Sequence, residues 1–500
     1  MNKIVKNVCF GFGGQLLILA MGIVVRRFVL VAYGSEVNGI TATVAQILTY
    51  IALMEAGVGN ATRNCLYKNI AADDKAGICT TVSATKKYFR NMVPLYVFCV
   101  LTFMLVFPMV METDVPARTV RLVILLQGSG FVVDYLFANA YIHLLWADGK
   151  SYITAALATM ERTIAGVMQI ILIEMGYDVV GVQFSYFLAF SIKAVIINIY
   201  IRKKYPWLKR DPKAGTKDLP QRGAFMVHEV SQVIFNSTDV VLISVFCSVK
   251  EASVYTIYNM VFVALCSISE ALFRGIDFNL GTQYHRDIEQ YKKLHDSYET
   301  LFMCFVFAMI SAAYIVILPF VRLYTDGVTD VEYARPILPI LFALIQLLTA
   351  GKLVATKLIT VAGKATATIP NTIAETIINL VASVIFVNIF GIEGVLLGTI
   401  VALLYRFNHV VLYANRKILK RRPWHTYKML LINLALFGLV IVWTFAYPPQ
   451  VKNYFQFLFV GALSLMAMVA LYLGTGCLLD RNMRQDVVAI GGDFLSKLKR

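Results

Sequence analysis

Charge is scarce in this chain: Asp, Glu, Lys and Arg make up 15% of its 500 residues, where a soluble domain carries about 25%. That scarcity excludes a soluble enzyme or nucleic-acid-binding domain of this size. The eight cysteines (Cys9, Cys65, Cys79, Cys99, Cys247, Cys266, Cys304 and Cys477) form no CxxC pair, and most fall in apolar stretches. Neither a disulfide framework nor a zinc site is therefore expected. HExxH and GxSxG are absent, and Gly149-Lys150-Ser151 has Leu144 where a phosphate-binding loop requires glycine. No connection between apolar stretches exceeds about 30 residues, too short for an appended ATP-hydrolysing domain of roughly 100–200 residues. No enzyme, cofactor or metal is expected. The sequons at Asn60 and Asn236 lie inside apolar blocks and carry no meaning.

What the chain has instead is hydrophobicity, at 58% of residues with a mean hydropathy of +0.69. It falls in blocks of about 20 residues, each long enough to cross about 30 Å of hydrocarbon as a helix. The blocks lack the alternation of barrel strands. They run from Val5 to Val25, Ile40 to Gly59, Met92 to Val110, Val120 to Trp146, Tyr152 to Ile173 and Val179 to Ile201. After a basic loop from Arg202 to Gly223 come Phe225 to Cys247, Ser253 to Phe273, Leu301 to Val321, Pro336 to Leu358, Ala367 to Phe390 and Gly394 to Tyr413. Tyr427 to Ala446 and Phe455 to Cys477 close the series. The first block starts like a signal peptide but lacks a small-residue cleavage site, so a retained span is expected. The reading is an all-α polytopic membrane protein of about fourteen spans.

The net charge of +16 follows the membrane rather than a nucleic acid. Of the 46 Lys and Arg residues, 33 fall on the side that holds both termini and 8 on the other, with the rest inside spans. This bias predicts cytoplasmic termini and an even number of spans. Trp146, Trp207 and Trp424 fall at the same boundary, as interfacial aromatics do.

The blocks also repeat. Gly149-Lys150 precedes Glu161 by the spacing that separates Gly363-Lys364 from Glu375, at an offset of 214. Gly181-Val182 precedes Lys193, Tyr200 and Lys203-Lys204 as Gly394-Val395 precedes Arg406, Tyr413 and Arg416-Lys417, at an offset of 213. Glu36 and Glu55 match Glu251 and Glu270 at 215. Six spans per copy is even, so the copies are parallel about an axis along the membrane normal. The expected organisation is an N-lobe over 1–201, a linker over 202–223, a C-lobe over 224–415, two extra spans over 416–479 and a cytoplasmic tail over 480–500.

Ionisable groups inside spans cost about 2.5–3.5 kcal/mol each on insertion scales, so they face partners or a wet cavity. The chain has many, which points to a transporter. Arg26 and Arg27 close the first span, Arg63 and Arg274 sit at inner span ends, and Asp239, Lys352 and Lys357 lie deeper. Guanidinium forks suit phosphate oxygens, so these are candidates for an anionic head group. Lys193 and Arg406 are repeat-matched cavity cations. Asp134, Glu161 and Glu375 are candidates for proton or cation coupling. Glu161 and Arg162 are adjacent, face different directions, and are each expected to pair with another helix.

The stretch RRFVLVAYGSEVNGITATVAQILTYIALMEAGVGNATRNCLYKNIAADD, Arg26 to Asp74, resembles bacterial polysaccharide repeat-unit flippases of the multidrug/oligosaccharidyl-lipid/polysaccharide exporter superfamily. RLYTDGVTDVEYARP (Arg322 to Pro336), STD (Ser237 to Asp239) and GIEGVLLGT (Gly391 to Thr399) are similar to the same family. The resemblance implies two six-helix lobes, two further helices that could hold a lipid tail, and a cationic cavity. It also implies a bacterial cytoplasmic membrane and an undecaprenyl-pyrophosphate-linked oligosaccharide moved to the outer leaflet by alternating access. On this reading Arg26, Arg27, Arg63 and Arg274 face the pyrophosphate. Its pathway would supply polymerase and glycosyltransferase partners, and a monomer is expected. Two alternatives stand: a proton- or sodium-coupled drug exporter of the superfamily, which favours an acidic cavity, and a membrane-embedded glycan polymerase or glycosyltransferase.

Overall fold

The computed structural model describes residues 3–55, 57–212, 214–215, 222–480 and 484. Side chains at 3–9, 12, 54, 222–229, 231–232, 236, 270–282, 285 and 365–366 lie outside that description, and Arg274 is among them. Every regular element among the described residues is helical. In order these are α1 (Lys3–Ile51), α2 (Val58–Ala71), α3 (Lys75–Val110), α4 (Ala117–Phe137), α5 (Asn139–Ala147), α6 (Ser151–Glu174), α7 (Val179–Lys204) and α8 (Arg222–Phe246). They continue with α9 (Val249–Arg286), α10 (Ile288–Tyr324), α11 (Ile337–Val361), α12 (Ile369–Phe390), α13 (Ile392–Leu412), α14 (Trp424–Ala446) and α15 (Tyr454–Leu479).

Twelve of these are long and apolar enough to cross a membrane. The 49 residues of α1 would measure about 74 Å at 1.5 Å per residue, more than twice the hydrocarbon core. The helix breaks at Gly34, whose φ of 81° and ψ of 177° fall in a region open essentially to glycine alone. Counting α1 as two crossings and adding the 25-residue α8 gives about fourteen. The chain is a multi-pass membrane protein.

The turn at Gly34 is pinned from outside. Asp330 accepts hydrogen bonds from the Ser35 backbone N–H (2.9 Å) and the Ser35 hydroxyl (2.5 Å), capping the second half of α1. Glu36 accepts from Thr113 and from the Asp114 backbone, each at 2.7 Å. Gly39 then passes so close to α9 that a β-carbon there would lie 1.7 Å from the Val249 carbonyl oxygen. Elsewhere, helix starts carry side-chain caps: Asp74 on α3, Asp178 on α7, Asp287 on α10 and Asn453 on α15.

The chain divides into two compact units, residues 1–256 with 327–331, and residues 257–326 with 332–500. In the first, α1 packs on α6, α8 and α4, and α7 packs on α4 and α6. One apolar cluster there centres on Val44, Leu48, Phe89, Tyr96 and Ile124, and a second on Leu66, Leu144, Leu145 and Ile197. In the second, α10 is the central helix, packed by α11, α14 and α15, while α13 packs on α11 and α12. Of its most apolar stretch 72% is buried, against 6% for α15. Phe455, Leu478 and Leu439 on α14 and α15 are left uncovered by protein, a surface suited to lipid.

Repeat-matched positions share backbone geometry. Gly149 and Gly363 both follow a helix end in the left-handed region, with φ of 68° and 67°. In each, the next residue closes the same six-residue bond, Lys150 N–H to Leu145 (2.9 Å) and Lys364 N–H to Ile359 (3.0 Å). Lys150 lies in the turn outside the spans. Burial lowers its pKa, but hydrogen bonds to Asp148 and Tyr205 outweigh that and leave it raised.

Candidate functional site

Two buried charge triads occupy repeat-matched helices. In the first unit the α7 ammonium of Lys193 lies 2.5 Å from Glu161 on α6 and 2.7 Å from Asp134 on α4. In the second, Glu375 on α12 lies 2.5 Å from Lys352 on α11 and 3.4 Å from Arg406 on α13. Glu161 and Glu375 are the pair at offset 214, and Lys193 and Arg406 the pair at 213, so the repeat carries an ion pair as well as a pattern. The third member differs in sign. One triad has two acids around a base, the other two bases around an acid. Each charge sits by an opposite one, as burial in a low-dielectric setting requires. Lys193 also lies 4.5 Å from the Phe190 ring, and Arg406 donates to the Thr368 carbonyl at 3.4 Å. The Asp134 Oδ1 has no hydrogen-bond partner. Glu161 pairs with another helix as expected, although it also lies 4.0 Å from its sequence neighbour Arg162.

Between α1, α4, α6 and α7 the first unit holds a cavity of about 450 Å³. Arg26 and Arg162 are its charged lining residues among those described, and both are positive. The rest of its polar wall is amide and hydroxyl: Asn38, Gln127, Gln169, Gln183, Thr41, Thr49 and Tyr186. Arg26 donates to the Thr256 carbonyl at 3.1 Å, which orients its guanidinium. Gln127 donates to Gln183 at 3.2 Å, while the buried Gln169 leaves its Nε2 unpartnered. Two guanidinium groups and donor amides, with no carboxylate among the described lining residues, suit an anion of modest size.

The other sequence candidates are dispersed. Arg27, partly buried, does not line this cavity. Arg63 on α2 is held by Asn60 (2.5 Å), by His143 (3.4 Å) and over the Trp146 ring (5.5 Å), away from the cavity wall. Asp239 on α8 is buried and accepts from the Tyr255 hydroxyl at 3.1 Å. Lys357 is partly buried on α11, and Arg274 lies outside the described side chains. What a search for charge passed over is Arg162's place at the cavity and its amides. The signal was present, since an amide inside an apolar block is costly unless hydrogen-bonded.

The fold has known counterparts. A multidrug resistance MATE family transporter of the MOP superfamily, inward-facing, superposes with a TM-score of 0.64 over 84% of this chain and 99% of that one, at 16% identity. The lipid II flippase MurJ, inward closed, does so with 0.66 over 94% and 99%, at 11% identity. A variant of the Vibrio cholerae MATE transporter VcmN gives 0.55 over 85% and 100%, at 13%. The chain has the MATE and MurJ fold. No protein-family model and no curated protein matches it by sequence.

Proposed function

We propose that the protein is a flippase for an anionic lipid-linked glycan, an undecaprenyl-pyrophosphate-linked oligosaccharide, in a bacterial cytoplasmic membrane with both termini inside. The observation that carries this is the first unit's cavity, whose charged wall is two arginines. A pyrophosphate offers the oxygens that guanidinium forks recognise, and the wall of amides suits the sugar hydroxyls next to it. A carrier of cationic drugs needs the opposite sign. The MurJ likeness supports a lipid-linked cargo, and the sequence resemblance supports a polysaccharide repeat unit.

In this reading Arg26 and Arg162 engage the pyrophosphate, and Arg27, Arg63 and Arg274 serve its entry and exit. Asp239, Lys352 and Lys357 belong to the same substrate path. Transport proceeds by alternating access, with an N-lobe over 1–201 and a C-lobe over 224–415. The lone Asp134 Oδ1 and the carboxylates Glu161 and Glu375 are where a proton or cation would couple to the cycle. Polymerase and glycosyltransferases of the same pathway would act on either side of the step.

In cells, the Arg26→Ala/Arg162→Ala double variant is expected to lose nearly all surface glycan while its membrane abundance stays normal. Arg26→Lys is expected to keep part of the activity, because charge survives while the fork is lost. Undiminished glycan in the double variant would overturn the pyrophosphate role.

A further inference from the structure

Far in sequence from the cavity, α10 carries His295 and Asp296, which stand four and three residues before Glu299 and so one turn from it. One nitrogen or oxygen from each lies within 4.8 Å of the others. His295 is 1% exposed, and neither ring nitrogen makes a hydrogen bond. Its Nδ1 stands 3.8 Å from Asp296 Oδ1, too far for one. Glu299 is 0% exposed, and its Oε1 has no partner.

The surroundings hold these groups in place without filling them. Thr426 donates to Glu299 Oε2 at 2.8 Å, which leaves Oε1 aimed at the cluster. Arg421 grips Asp296 with both terminal nitrogens, one at 2.7 Å, and is itself held by Asn415 at 2.9 Å. A carboxylate offers about four lone-pair sites, so Asp296 keeps room for a further ligand. Next to the cluster, Thr300 donates to Asp480 at 3.0 Å and meets His425 at 3.0 Å, tying α10 to α14 and the end of α15.

Two carboxylates face one guanidinium here, and the buried Glu299 makes no ion pair among the described residues. A buried carboxylate left this way is costly. A divalent ion would supply the charge and give both Glu299 Oε1 and one His295 nitrogen a partner. We propose that His295, Asp296 and Glu299 form a binding site for a divalent transition metal. One imidazole with two carboxylates suits zinc or cobalt, and the fourth position is left to water. Ligand atoms around such an ion at about 2.0–2.1 Å lie roughly 3.3 Å apart, so small rotamer changes within the 4.8 Å cluster complete the shell. Thr426 and Arg421 then act as the outer groups that orient the ligands. The run HDSYE matches neither HExxH nor CxxC, so motif searching passes over it. The bound ion fastens α10 where α14 and α15 meet it.

The test uses the full-length protein in lipid nanodiscs, purified without a histidine tag and stripped with chelator. Titration with Co²⁺ should give visible d–d absorption at one ion per chain, displaced by Zn²⁺. His295→Asn and Glu299→Gln should each weaken binding about 100-fold or more, and Thr426→Val about 10-fold, as outer-shell losses do. His295→Cys keeps a ligand and should retain the ion, which separates ligation from a general folding defect. The proposal is overturned if stripped wild-type protein takes up no stoichiometric Co²⁺ or Zn²⁺. Equal binding by wild type, His295→Asn and Glu299→Gln would overturn it too.

Discussion

Removing Lys193 would leave two carboxylates, Asp134 and Glu161, facing each other inside the first unit. Breaking a buried pair by taking one partner away costs about 3–5 kcal/mol. Lys193→Met should therefore lower Tm markedly in a detergent thermal-shift assay. The triple variant that adds Asp134→Asn and Glu161→Gln should recover most of the loss. Glu375→Gln should be comparably harmful, because it strands Lys352 and Arg406 together. Unchanged Tm in both single variants would show that these triads are not the buried pairs described. Sequence alone flagged all six charges, since each is expensive inside a span. It matched Glu161 with Glu375 and Lys193 with Arg406 across the repeat, but it could not say that Glu161 meets Lys193. Spacing along the chain sets which face a residue occupies; which helices become neighbours is decided by packing.

Among elements, the junction inside α1 has the sharpest requirements. Gly34→Ala would force a β-carbon into a backbone region that costs about 1–3 kcal/mol, with Asp330 Oδ2 only 3.3 Å from it. Gly39→Ala meets the Val249 carbonyl directly and should be worse, because backbone cannot swing aside as a side chain can. Both variants should lose folded protein on fluorescence-detected size-exclusion, Gly39→Ala more severely. Wild-type recovery of Gly39→Ala would mean that α1 and α9 do not approach this closely. The helices themselves were legible, since apolar blocks of span length announce them. The stretches YGSEVNG and RLYTDGVTDVEYARP stood out in the sequence for their resemblance to known flippases, yet the physical reason for them did not. Ser35 of the first is capped by Asp330 of the second, nearly 300 residues on. The lengths of α9 and α10 also exceeded the apolar blocks, because their polar ends continue the helix beyond the hydrocarbon.

For the whole molecule, hydrophobicity fixes the solvent. The apolar faces of α14 and α15 suit lipid, and the arginine-lined cavity of the first unit suits an anion. The membrane fold was readable from composition. The cavity's sign was half readable: Arg26 stood out, whereas Arg162 and the amides emerged only when α4, α6 and α7 were brought against α1. The proposed function requires that this cavity serve a lipid-linked pyrophosphate. Reconstituted into proteoliposomes, the wild-type protein should move an undecaprenyl-pyrophosphate-linked oligosaccharide between leaflets, read by lectin or enzyme accessibility from outside. The Arg26→Ala/Arg162→Ala variant should fall to the rate of empty liposomes. Movement of a cationic dye with no movement of the lipid-linked glycan, or equal glycan movement by both proteins, would rule out a pyrophosphate role for this cavity.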